Sequence, residues 1–159
     1  MEVRVPASDL ARQVQRALEA SSAPQPGSVT VVLTDDDELA ELNREHMDVD
    51  GPTDVLSFPM LPPESFLRKH PDDPGPRPKK PARVAAGKRT HVGDIAISVE
   101  RAIEQAEQGR GGHAGNIRWP AAEELRLLVT HGTLHLCGWD HAEPDEGAAM
   151  RALEQRLLA

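Results

Sequence analysis

Three of the chain's seven histidines fall within eleven residues, at His131, His135 and His141 of the stretch HGTLHLCGWDH. Residues four apart on a helix share one face, one turn from each other, so His131 and His135 can offer two imidazoles to a single ion. Gly138 follows, and a glycine tolerates the left-handed backbone that turns a chain back on itself. His141 could then complete a triangle. Three protein nitrogens with one open position is the layout of a catalytic zinc site, where the metal brings the pKa of a bound water to about 7. The plainer reading is a pair of hydrogen-bonded core or surface histidines. On an otherwise apolar helix either reading demands partners, because an unsatisfied buried polar group costs about 1–3 kcal/mol.

The spacing coincides with the long metallopeptidase pattern HExxHxxGxxH at its histidines and its glycine. The position after the first histidine carries the general-base Glu in that pattern and is Gly132 here. The ligand set is kept and the peptidase's base is not. Other candidates are weaker. Asp140 could orient a ligand or merely cap a turn. Asp94 is either structural or faces the site, and Asp54 and Ser57 read as pocket-wall or turn residues. Trp139 and Cys137 read as core, with Cys137 a conceivable fourth soft ligand. His46, His70, His91 and His113 stand apart and read as solvated or structural.

These groups must be carried by ordinary elements. Leu125 to Leu136 place apolar side chains nearly all round one helix, which marks it as central and buried. Pro120 fits its first turn, and Gly138 its end. Leu10, Val14 and Leu18 give an amphipathic helix to about Ala20, with Ser8 and Asp9 available as caps. Thr34 and Asp35 can cap a helix carrying Leu39 and Leu42, and Ser98 one carrying Val99, Ala102, Ile103 and Ala106. A last helix opens at Pro144, with Met150, Leu153 and Leu157 inward. Strands are expected at 29–33, 54–58 and 91–98, and a short one at 2–5. The tract at 109–116 reads as a loop. Helices and strands mix without strict alternation, so the expected class is α+β: a small mixed β-sheet packed by helices, with a zincin-like central helix bearing HxxxH.

With 159 residues the chain is expected to form one domain, and the lone Cys137 suits a reducing, cytoplasmic compartment. No apolar run approaches the roughly 20 residues of a membrane span, and the start shows no secretory leader. Net charge is -8, which argues against a general nucleic-acid binder. The charge is segregated, however. Between Arg68 and Arg89 lie eight basic residues and two acids, Asp72 and Asp73, a local +6 that leaves -14 on the remainder. This falls in a Pro-rich segment at about 61–90, expected to be a flexible insert that is either simply solvated or follows an RNA backbone. Two Phe, two Trp and no Tyr exclude a broad base-stacking platform.

HGTLHLCGWDH resembles the HGxLHLxGyDH signature of the YbeY-like bacterial endoribonucleases, the rRNA maturation factors. GPTDVLSFP at 51–59 and VGDIAIS at 92–98 resemble two further segments of that family, in the same order, and the likeness spans Val29 to Leu158. It implies a zinc-dependent, single-strand-specific endoribonuclease acting in 16S rRNA maturation and ribosome quality control, with His131, His135 and His141 as ligands of one Zn2+. It implies RNA, and through it the small ribosomal subunit, as partner. The likeness departs at two places: the segment 61–90 is longer, more Pro-rich and more basic than the family's, and the family commonly has an Arg five residues before Pro52 of the PTDVLSFP segment, where this chain has Met47, and a Tyr where it has His46. Arg44, one helical turn earlier, is the candidate substitute. Two other readings compete: a metallopeptidase with a different base, and a non-catalytic ribosome-assembly factor with structural zinc. Against the last, structural zinc sites usually have four ligands including cysteine, and this motif offers Cys137 at most.

Overall fold

The chain orders its elements as α1 (Ala7–Ala20), β1 (Gly27–Thr34), α2 (Asp36–Met47), β2 (Val55–Pro59), β3 (Thr90–Ser98), α3 (Val99–Gln108), α4 (Ala121–Leu136) and α5 (Pro144–Leu158), with one 3-10 turn at Pro63–Ser65. The computed structural model describes residues 4–66, 88–108 and 120–159. The three strands form one mixed sheet in the order β1-β3-β2; β1 runs parallel to β3, and β2 antiparallel to it. The class is α+β, as the sequence indicates.

The central strand β3 carries Val92 and the run Ile95, Ala96 and Ile97, all buried, so that its second half is apolar on both faces. Ile95 and Ile97 face α4 and join the main core with Leu125, Leu128, Val129, Leu134 and Leu136. Ala96 points the other way, into a small cluster with Leu56 of β2 and Leu39 of α2. Helix α4 therefore covers one face of the sheet and α2 the other. Around α4 pack α1, α3 and α5. Each large apolar side chain buried on α4 stabilises the fold by roughly 1.5–3 kcal/mol, so the helix that carries two of the histidines is also the best anchored.

Local signals set most boundaries. The Asp35 side chain accepts from the Glu38 backbone N–H at 2.9 Å, the expected cap of α2. Ser98 Oγ accepts from the Arg101 N–H at 3.2 Å at the start of α3. Ser8 and Asp9 do not cap α1: they lie inside its first turn, after Pro6, whose fixed φ enters the helix without a side-chain cap. Pro120 likewise precedes α4 rather than forming its first turn. Arg4 and Val5 carry no strand, and β1 is left as an edge of the sheet; the rest of that expected strand lies outside the described residues. So do the loop at 109–116 and most of the basic segment. The described ends of that segment are fixed, with Phe66 buried in the main core and Thr90 paired to Gly27.

Candidate metal centre

Helix α4 ends in a tight reversal. The Gly138 N–H donates to the His135 carbonyl and the Trp139 N–H to the Leu134 carbonyl, both at 3.0 Å. Gly138 has φ +86°, the left-handed conformation that this reversal needs and that glycine adopts without a Cβ clash. The buried Trp139 ring anchors the turn, its Nε1–H donating to Ser21 Oγ at 3.3 Å. The chain then doubles back and delivers His141 beside the helix.

The three histidines come together. Ring centroids of His131 and His135 are 4.5 Å apart, those of His135 and His141 5.1 Å, and those of His131 and His141 5.9 Å. One nitrogen from each lies within 4.8 Å of the others, a group that could hold one metal ion.

The hydrogen bonds decide which nitrogens are presented. His135 Nδ1 lies 2.8 Å from the Trp139 carbonyl, which can only accept, so Nδ1 carries the proton and Nε2 a lone pair. His131 Nδ1 meets the carboxylate of Glu154, from α5, which fixes the same tautomer. The two Nε2 atoms then face each other at 2.9 Å. Two lone pairs at that distance repel unless a cation or proton lies between them. Burial, and next the neighbouring His131, push the His135 pKa below its ordinary value, which disfavours the proton. Separations from 2.9 to within 4.8 Å bracket the roughly 3.4 Å between nitrogens of a tetrahedral zinc site with bonds of about 2.0–2.1 Å. Tautomer, donor type and spacing all fit such an ion.

A cleft of about 510 Å³ opens beside the trio. His131 and His141 form part of its wall, with Asp54, Gln105 and Glu124 on one side and one face of α5 on the other. Asp54 is a wall residue, as its sequence context indicates. Its carboxylate accepts from the Val55 N–H at 2.8 Å and from Gln105 Nε2 at 3.2 Å.

Other candidates are placed elsewhere. Asp140 is exposed and accepts from the His141 backbone N–H at 2.7 Å, so it caps the turn and touches no imidazole. Ser57 Oγ donates to the Gly132 carbonyl at 2.9 Å and ties β2 to α4. Arg44 is not brought to the trio. It is exposed on α2, across the sheet, and lines a separate depression with Asp37, Glu41 and Asp50. Met47, also on α2, is 44% exposed and absent from the cleft wall. Asp94 binds His91 Nε2 at 2.8 Å, and His91 Nδ1 lies 3.1 Å from Ser28 Oγ, a structural pairing at the far end of β3. Cys137 is buried, its thiol pushed up to about 12 by desolvation, and it is not one of the grouped ligands. His46 stacks edge-on against Phe58 with centroids 5.2 Å apart. His70 and His113 lie outside the described residues.

Glu154 is the residue at the trio that motif reading passed over. It stands four residues after Met150 on the stripe formed with Leu153 and Leu157, and an acid on a buried stripe was the available signal. Gly132 has a steric reason to be glycine. A Cβ there would lie 3.0 Å from Ile95 Cγ2 and 3.2 Å from Val55 Cγ2. The position faces the sheet, not the cleft, so this scaffold has no room for a peptidase's glutamate.

Fold and site together define a class: an α+β protein whose central helix and following turn present a histidine group able to hold one metal ion. The family model described as Endoribonuclease YbeY matches residues 2–159. Endoribonuclease YbeY of Salinispora tropica is 41% identical over 145 residues, covering 91% of this chain and 81% of its own length. That of Thermobifida fusca is 40% identical over 160 residues, covering 99% and 88%. A solution structure of a Thermotoga maritima protein covers 98% of this chain and 83% of its own, at 24% identity and a TM-score of 0.49. The chain belongs to the endoribonuclease YbeY family.

Proposed function

We propose that the protein is a zinc-dependent endoribonuclease that hydrolyses single-stranded RNA, forms one domain over 1–159, and acts in the cytoplasm on 16S rRNA of the small ribosomal subunit. The observation that carries this reading is the convergence of two Nε2 lone pairs, each set by an Nδ1 partner, at the wall of a cleft large enough for a nucleotide. His131, His135 and His141 would hold the ion. When bound, zinc supplies Lewis acidity toward a phosphoryl oxygen and toward water.

The chain's own residues supply the rest. Trp139 and Glu154 hold the imidazoles of His135 and His131 with their Nε2 atoms toward the centre, so neither has to change tautomer to bind. Gly138 sets where His141 approaches. The Asp54 carboxylate keeps the opposite wall polar. An amide nitrogen must be protonated before it can leave, whereas an alkoxide can leave without it, so the missing base at Gly132 handicaps a peptidase more than a nuclease.

The test is metal analysis of the purified protein paired with cleavage of an unstructured RNA, with and without chelator. One equivalent of zinc and chelator-sensitive internal cleavage are expected. His131→Ala and His135→Ala should lose both metal and cleavage. Full zinc content in either variant refutes the ligand set, and chelator-resistant cleavage refutes the metal's role.

A further inference from the structure

The cleft beside the trio has an electrostatic peculiarity. Three carboxyl side chains line it, those of Asp54, Glu124 and Glu154. The only cation among the described lining residues is Arg151, on α5. Glu124 is fully buried and Glu154 is bonded to His131, so a polyanion entering this cleft meets chiefly the Asp54 carboxylate and one guanidinium.

The helical spacing places that guanidinium closely. Gly147, one turn before Arg151, abuts the third histidine: a Cβ at 147 would lie 3.3 Å from His141 Cβ. Glu154, one turn after Arg151, is bonded to His131. Residues 147, 151, 154 and 155 all line the cleft, so they share one face of α5. Arg151 therefore projects from the stretch of α5 that lies between the two points where this helix touches the trio. It is exposed, and its side chain pairs with no other described residue. Arg126, by contrast, is spent on Glu123 at 2.8 Å, and Arg101 on Asp36 at 3.2 Å. A guanidinium offers a planar fork of donors that matches two phosphate oxygens, and a free one at the mouth of an acidic cleft has an anion as its natural partner.

We propose that Arg151 binds a backbone phosphate of single-stranded RNA next to the one to be cleaved, and so sets the register of the strand against the trio. This rests on the nuclease reading above and adds to it the residue that holds the substrate.

The test uses the full chain and three variants, Arg151→Ala, Arg151→Lys and Arg151→Glu. Binding of a short fluorescent oligouridylate is titrated on metal-stripped protein across a salt series, so that no cleavage intervenes. Cleavage is measured separately on zinc-loaded protein, and zinc content and thermal midpoint are recorded for each. Loss of one phosphate contact on a single strand lowers the slope of log affinity against log salt by about 0.7, which is about fivefold in affinity at about 0.1 M salt. Arg151→Ala should show that loss with unchanged zinc content and melting, and a raised KM with kcat nearly kept. Arg151→Lys should recover the slope, and Arg151→Glu should bind more weakly than Ala. If the wild type binds and cleaves RNA while Arg151→Ala keeps its slope and affinity, the clamp is overturned and the nuclease reading stands. A fall in zinc content or melting of Arg151→Ala that accounts for its defect also overturns it. A wild type that neither binds nor cleaves RNA overturns both.

Discussion

Replacing Glu154 separates the orientation of a ligand from its mere presence. Its carboxylate, 8% exposed as a residue, accepts from His131 Nδ1–H and is that nitrogen's partner from α5. Glu154→Gln keeps the volume and an acceptor oxygen but loses the charge. Glu154→Ala removes the acceptor and lets His131 rotate or change tautomer. Loss of such a supporting partner typically weakens metal binding 10- to 100-fold. We therefore expect about tenfold weaker zinc binding for Gln and about 100-fold for Ala, or about 1.4 and 2.7 kcal/mol. The metal-free protein should lose less, about 1 kcal/mol, because the His131 side chain is 27% exposed and water can replace the lost acceptor. Competition titration against a chromophoric chelator gives the affinity, and thermal melts of the stripped protein give the stability. A Glu154→Ala protein that binds zinc as the wild type does would refute the reasoning; so would an affinity loss matched by an equal loss of metal-free stability.

Three other outcomes are expected. Gly132→Glu should fail to yield a stable fold and gain no peptidase activity, since even a Cβ meets Ile95 at 3.0 Å; a well-folded variant by thermal melt would contradict the packing. Gly138→Ala forces a left-handed residue with a side chain at a cost of about 1–2 kcal/mol, so melting should fall by roughly 2–8 °C with weaker zinc binding, and an unchanged midpoint would deny the turn its role. Cys137 has a folded pKa of about 12 against an ordinary 9.0, so at pH 9 only about a thousandth of it is thiolate and native protein should resist iodoacetamide. The same raised value means that its stabilising contribution is complete below pH 9 and disappears as pH rises through 12; ready alkylation of the native protein at pH 9 would show the thiol is not buried.

What the sequence revealed divides by distance along the chain. The trio was legible because its members are joined by one helical turn and one glycine reversal, both local. The central helix was legible because α4 is apolar nearly all round, and β3 because Ile95, Ala96 and Ile97 form an unbroken apolar run; burial explains both patterns. Adjacency left Asp140 open between two roles and misdirected Arg44. Asp140 neighbours His141, yet in a turn the shorter route for its carboxylate is the next backbone N–H, at 2.7 Å. Arg44 sits one helical turn from Met47, yet α2 packs on the sheet face opposite α4, so no shift along that helix brings it to the trio. The partner that matters, Glu154, lies 23 residues from His131 and reaches it only because α5 folds back along α4.

The same division bears on the peptidase alternative. From composition alone, Gly132 says only that a base is missing, and another base could have replaced it from elsewhere. The packing says more. Position 132 points at Ile95 and Val55, on the side of α4 that seats the helix on the sheet. In this chain the residue after the first histidine is committed to seating on the sheet the helix that carries His131 and His135, and under the proposed function the supporting groups come from α5. That is where Glu154 and Arg151 stand, and it is the face of the molecule in which substitutions should change activity without unfolding the protein.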